Sequence, residues 1–263
     1  MLFRSMSRAN STYEAGTVRL SRTGSKGLSF HVLYTYAHAM DWNPNESGQV
    51  SGPSVLDPNN FAQEYGTSNL DMRHSVSAIV LWEAPWRLSG ASGRLANGWT
   101  LAATGHYHSG LPYTMRVAGS IPEEFLSSGG TIVGLGPGMN GYGGDSRVYG
   151  VGRNTYRYPA TWKTDMRLGR RFKLPHESVL ELMAESFNLF NHQNVTEIET
   201  TGYFIEPGTT SGGLPTLNFM TGLETNTTEF GQPLNVNATD FYSPRQIDFG
   251  VRFRFLIEPE IAP

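Results

Sequence analysis

Hydrophobic and polar residues alternate most clearly near the end of the chain. Ile247, Phe249, Val251, Phe253 and Phe255 interleave there with Gln246, Asp248, Gly250, Arg252 and Arg254. A period of two sustained over this stretch predicts a strand long enough to cross a bilayer at a tilt. One of its faces is apolar and aromatic, the other charged. A face so greasy opposite two arginines suits a membrane barrel better than a soluble sandwich.

The same pattern recurs upstream. It predicts a hairpin with strands near Tyr13 to Arg22 and Leu28 to Met40, joined by a tight turn at Thr23 to Gly27. In its second strand Phe30, Val32, Tyr34 and Tyr36 share one side, and Ser29, His31 and Thr35 the other. Further strands are expected near Arg73 to Ala84, Trp99 to Val117, Thr161 to Phe172 and Ser178 to Phe190. In the last of these the parity blurs at Phe187, Leu189 and Phe190, which predicts a bulge or a strand end. The polar positions Asp165, Arg167, Glu181, Glu185, Asp248, Arg252 and Arg254 would then face a lumen, paired across strands or touching a plug. Ile247, Phe249, Val251, Phe253 and Phe255 would face lipid. About seven strands are expected.

Connection lengths alternate as well. Residues 41–72, 118–160 and 191–243 are long, polar and rich in Gly, Pro, Asn, Ser and Thr, whereas the intervening connections are short to moderate. Short periplasmic turns and long extracellular loops are the arrangement of outer-membrane barrels, and loops this long are foreign to a compact soluble domain. Trp82, Trp99, Tyr113 and Trp162, near predicted strand ends, are candidates for the aromatic girdles at the two membrane interfaces.

Composition narrows the alternatives. Aromatics make up 12% of the 263 residues and Gly numbers 30, which favours strands and turns. A net charge of −3 without a basic stripe argues against nucleic acid as a partner. Cysteine is absent, so disulfides, thiolate metal sites and a cysteine nucleophile are excluded. No run approaches the ~20 apolar residues of a transmembrane helix, a test that a strand-built membrane protein escapes. The opening Met1 to Arg8 lacks the apolar core of a secretory signal, which fits either a cytoplasmic protein or a piece of an exported one, and the alternation at the other end of the chain favours the second.

Chemical motifs carry little. Gly136 to Gly141 has the glycine spacing of a dinucleotide fingerprint but no strand before it or helix after it. Asp41 to Asn45 begins like a calcium loop, yet Glu46 and Gly52 occupy positions that need glycine and glutamate. His106 and His108 lie two apart on one face without a third ligand. Asp71, Arg73 and His74 have no nucleophile or paired carboxylate with them. No catalytic, cofactor or metal site is expected, and no enzymatic activity.

Several segments resemble the C-terminal barrel region of the Oar-like TonB-dependent receptors, a group that usually carries an N-terminal carboxypeptidase-regulatory-like domain and a plug. They are Ser25 to Phe30 with Tyr34 to Tyr36; Asp71 to His74; Ser109 to Tyr113; Ala184 to His192; and Pro244 to Phe253. The Phe187-Asn188-Leu189-Phe190-Asn191-His192 and Pro244-Arg245-Gln246-Ile247-Asp248-Phe249-Gly250 stretches are the most specific. The resemblance implies residues 11–255 as the C-terminal part of a receptor barrel of 22 strands, with 1–10 a stub and 256–263 a tail. It also implies partners: outer-membrane lipid, the barrel's own missing strands and plug, TonB through a missing N-terminal region, and the barrel-assembly machinery. Two rivals stand beside it, an adhesive surface protein that transports nothing and a soluble carbohydrate-binding β-sandwich.

Overall fold

The computed structural model describes residues 10–42, 61–119, 147, 148, 150–175, 178–206, 216–221, 228–237 and 242–255. The long strands, in chain order with the short ones between them, are β1 (Ser11–Ser25), β2 (Leu28–Asp41), β3 (Gly66–Thr67), β4 (His74–Glu83), β5 (Trp99–His108), β6 (Pro112–Tyr113), β7 (Arg116–Ala118), β8 (Tyr156–Arg157), β9 (Thr161–Lys173), β10 (Val179–Phe187), β11 (Val195–Ile198), β12 (Thr201–Glu206), β13 (Thr216–Phe219), β14 (Pro233–Val236) and β15 (Gln246–Arg254). A helix, α1 (Gly90–Ala96), lies between β4 and β5. No helix among the described residues is long and apolar enough to cross a membrane.

Seven long strands form one antiparallel wall in the order β1-β2-β4-β5-β9-β10-β15, with β3 added at the end of β2. Each strand except those across the loops pairs with its sequence neighbour, as in a meander. The pairings run without a slip over whole strands: Val32 faces Ala78, Ala78 faces Gly105, Ala103 faces Met166, Ala184 faces both Leu168 and Phe249. A register shift falls between Arg22 and Ser25, next to the turn where Lys26 and Gly27 take positive φ. Gly27 is required there, because a Cβ on it would sit 2.0 Å from the Glu83 carbonyl oxygen.

Unbroken register lets the alternation of each strand add up across the wall. Leu20, Val32, Val80, Leu101, Leu168, Leu182 and Val251 lie on one face, together with Trp82, Trp99 and Trp162. Asp165, Arg167, Glu181, Glu185, Asp248, Arg252 and Arg254 lie on the other, with His106 and His108. Among the described residues no second sheet covers the apolar face: Phe249 is 83% exposed and Val251 71%. A sandwich would have buried that face, so the soluble β-sandwich reading fails on this point.

Three short connections leave one end of the wall and the long ones leave the other. At the long-loop end, small sheets β6-β8, β7-β12-β13 and β11-β14 build a separate layer. Its packing centres on Met115, Val117, Ile198 and Ile205, all buried. The strand expected to run from Trp99 to Val117 breaks instead at His108. Gly110 explains the break, since its backbone passes so near Tyr158 that a Cβ would meet the Tyr158 carbonyl oxygen at 1.5 Å. The strand expected to reach Phe190 ends at Phe187, where Asn188 adopts φ 50° and turns the chain.

Candidate functional site: the polar face and the long-loop rim

The polar face is a ladder of opposite charges on neighbouring strands. Arg167 on β9 stands directly across from Glu185 on β10, with Nε 3.2 Å from Oε1. Arg171 and Arg252 reach Glu181 from either side, at 3.3 and 3.6 Å. Lys163 lies 3.4 Å from Asp165, two residues along the same strand. Asp248 faces Glu185 and Arg254 faces Val179, and among the described residues neither makes an ion pair. Arg167 and Glu185 are each about a third exposed, and a cross-strand pair of that kind contributes about 0–1 kcal/mol, so this part of the ladder reads as a wetted surface, whereas Glu181 and Lys163 are buried. Beside it Ile79, Leu81 and Ala102 interrupt the charges and, with Asp165, Arg167 and Glu185, line a shallow cleft of about 140 Å³.

The aromatic residues proposed as girdles divide. Trp82 and Trp99 stand on the apolar face at the short-turn end, Trp82 packed against Trp86 at 5.5 Å. Trp162 stands on the same face at the opposite end, stacked on His192 at 4.2 Å. Tyr113 does not belong with them. It lies off the wall in β6, stacked on Tyr156 at 5.7 Å and in contact with Tyr158 and Phe230. Burial raises its pKa, as do the neighbouring Tyr156 and Tyr158. The physical reason is the Gly110 break, which carries Tyr113 out of the strand it was assigned to. Along β5, Tyr107 stands across from Trp162 on the same face, eight residues from Trp99. At ~3.4 Å per residue this is about 27 Å of strand, or roughly 20 Å along the bilayer normal after a ~40° tilt, close to the apolar band of such barrels.

The rim beyond Tyr107 and Trp162 is held by buried polar clamps that sequence reading did not identify. Asp71 is fully buried. Its carboxylate accepts the Ala39 backbone N–H at 2.7 Å and pairs with Arg73, at 3.3 Å, and with Arg157. Burial works to raise its pKa, but the Ala39 N–H and the two guanidiniums outweigh it and hold the carboxyl below the usual value. Arg153 donates to the Asp41 carbonyl at 2.9 Å and to its carboxylate, and Arg147 pairs with Glu64. Asp41, read at the start of a candidate calcium loop, is therefore engaged by a guanidinium; residues 43–52 of that loop lie outside the described residues, as does Gly136 to Gly141.

Asparagines do comparable work around β9 and β10. The Asn194 side chain accepts from the Trp162 N–H at 2.8 Å and donates to the Trp162 carbonyl at 3.0 Å. It thereby stands in for a strand partner where β10 has already turned away. Asn188 accepts from the His192 N–H and donates to the carbonyls of His192 and Ser243, at 3.0, 3.0 and 3.1 Å. Both side chains are fully buried. The signal was present in the Phe187 to His192 segment, whose Asn188 and Asn191 both take positive φ, a conformation asparagine tolerates.

His106 and His108 share the polar face but serve different neighbours. His106 Nδ1 lies 3.1 Å from the Ser77 hydroxyl, and His108 Nε2 lies 2.7 Å from Thr161 and 2.9 Å from Tyr242. Among the described residues no group of three His, Asp or Glu side chains is placed to hold a metal ion.

No curated protein and no solved structure matches the chain. A family model does, over residues 2–248, and it covers six of the seven wall strands and the first three residues of β15. On that match, and on a wall with one bare apolar face and one ion-paired face, the chain belongs to the outer membrane beta barrel domain family and resides in the cell outer membrane.

Proposed function

We propose that this wall is the C-terminal part of a TonB-dependent receptor barrel, which takes up a substrate across the outer membrane and catalyses no reaction. The observation that carries this reading is the direction of the two edge strands. Seven antiparallel strands leave β1 and β15 running the same way, and among the described residues each pairs on one side alone. Closing an all-antiparallel barrel then takes an odd number of further strands, which a 22-stranded receptor supplies. A barrel of that width needs a plug, and the polar face offers one both charge and the Ile79, Leu81, Ala102 patch to rest on.

The adhesive alternative draws on the loop layer, where Tyr113, Tyr156, Tyr158, Phe219 and Phe230 gather their rings. The two readings part over TonB. Outer membranes holding the full-length protein are solubilised in mild detergent and passed over the immobilised periplasmic domain of TonB. Retention of the protein supports the receptor. Passage without retention, together with no crosslink from Ile79→Cys to a plug segment of the same polypeptide, supports the adhesin.

A further inference from the structure

Charge ceases to balance on the polar face toward the short-turn end. Register sets Lys173, Val179 and Arg254 in one row across β9, β10 and β15, and Arg171, Glu181 and Arg252 in the next row up. Glu181 serves both arginines of its row, at 3.3 and 3.6 Å, and Glu83 reaches Arg171 at 3.7 Å. Arg94 on α1 lines the same corner, a cleft of about 900 Å³ beside Arg171 and Lys173. Lys173, Arg254 and Arg94 are exposed, and among the described residues no carboxylate pairs with any of the three. Among those residues, then, five cations stand against two carboxylates. Glu177, in the turn between β9 and β10, lies outside the described residues.

Spacing decides what can neutralise the surplus. The wall turns these cations away from lipid, on the face that carries Asp165 and Glu185. Lys173 and Arg254 are two strands apart, about 10 Å, and each row is about 7 Å from the next. A single phosphate or carboxylate cannot touch both columns, whereas a chain with acids at alternate residues meets the rows one after the other. The sequence that follows the wall has this composition. Leu256-Ile257-Glu258-Pro259-Glu260-Ile261, beyond the described residues, leaves β15 at this same end, because β15 finishes at Arg254 opposite Val179. On an extended backbone Glu258 and Glu260 point the same way about 7 Å apart, the spacing of the two rows. Pro259 has no N–H with which to continue a ladder, and it favours extended backbone at Glu258. Residues 256–263 span roughly 26 Å when extended, more than twice the width of the patch.

We propose that the tail after β15 folds back onto the polar face and is held there by Glu258 and Glu260 against the cations of the two rows, Lys173 and Arg254 in the first, Arg171 and Arg252 in the second. Leu256, on the side of the two glutamates, comes to rest near Leu174, which is 40% exposed. The tail is thus a ligand that the chain carries for its own wall, and it covers the cations that a separate acidic segment would otherwise take. The inference does not depend on transport.

The test uses the full-length protein in neutral detergent. A carbodiimide, which joins a lysine amine to a carboxylate in direct contact, should link Lys173 to Glu258 or Glu260 within one polypeptide, read by peptide mass spectrometry. Lys26, at least five strand spacings from β15, or about 24 Å, should be linked to neither. A nitroxide on Ile261→Cys, in a chain with no cysteine of its own, should give an immobilised spectrum. Glu258→Gln with Glu260→Gln should lower the docked-to-free ratio by roughly 2- to 25-fold, the range that two exposed ion pairs span. Lys173→Ser with Arg254→Ser should do the same, and Arg19→Ser, at the far edge of the wall, should leave the spectrum unchanged. A freely moving label in the protein that keeps both glutamates would overturn the proposal, and so would a spectrum indifferent to their loss. Lys173 linked to neither glutamate would overturn it as well; a link from Lys173 to another polypeptide in its place would give the patch to a separate acidic partner.

Discussion

Val251 and Arg252 are neighbours in sequence and lie on opposite faces of β15, so substituting each in turn tests the facing of the whole wall. Val251 is 71% exposed and stands across from Leu182 near the centre of its strand, on the face that carries Phe249 and Phe253. Replacing it with arginine sets a guanidinium against hydrocarbon with no carboxylate in reach, which near the bilayer midplane costs about 2–4 kcal/mol. Arg252 is half-exposed, and the ion pair it makes with Glu181 is long, at 3.6 Å. Glu181 keeps Arg171 at 3.3 Å when Arg252 is removed, so Arg252→Ala should cost no more than about 1 kcal/mol. The two variants of the full-length protein are compared by urea titration in lipid vesicles, followed by tryptophan fluorescence. A tolerated Val251→Arg beside a damaging Arg252→Ala would refute the lipid-facing assignment of the apolar face.

Other outcomes follow from the rim. Asp71→Asn should loosen the clamp on Arg157 and Arg73 by about 1–3 kcal/mol, because it removes a buried anion from two guanidiniums that are each about a third exposed; protease nicking of the long loops on intact cells would rise, and an unchanged cleavage rate would refute the clamp. The folded-state pKa of Asp71 lies below its ordinary value, so its contribution is full above about pH 4 and is lost as pH falls through the lower folded value; limited proteolysis between neutral and strongly acid pH reads this, and a loss beginning near neutrality would contradict it. Gly110→Ala forces a Cβ against the Tyr158 carbonyl and should cost about 1–3 kcal/mol, seen as a lower melting temperature of the loop layer. Leu70→Cys, 71% exposed at the long-loop end, should react with an impermeant maleimide on intact cells, and Lys26→Cys at the turn should not; the reverse pattern would invert the topology.

The wall was legible because its information is local. A strand of nine or more residues repeats its alternation several times, so Gln246 to Arg254 declares both faces without reference to any partner. The charges of the polar face followed from the same parity. The loop layer was not legible, because its strands run two to six residues, too short for a period to show, and its pairings join distant segments, as where Val117 meets Tyr203 in parallel. Tyr113 was misplaced for the same reason: its neighbours Ser109 to Leu111 look compatible with a strand, and the contact that forbids it comes from Tyr158. The Asp71, Asn188 and Asn194 clamps depend on backbone groups tens of residues away, which composition does not reveal.

The unbroken register has a bearing on how this sequence can change length. From β2 to β15 every strand of the wall pairs residue for residue, so one residue inserted within β5 or β9 would rotate the remainder of that strand by half a turn and send its charges into lipid. Insertions between β7 and β8 shift no register in the wall, since β5 ends before that stretch and β9 begins after it. Drift in length, whether natural or engineered, should therefore accumulate at the outward rim, while the seven wall segments keep fixed lengths and admit substitution alone.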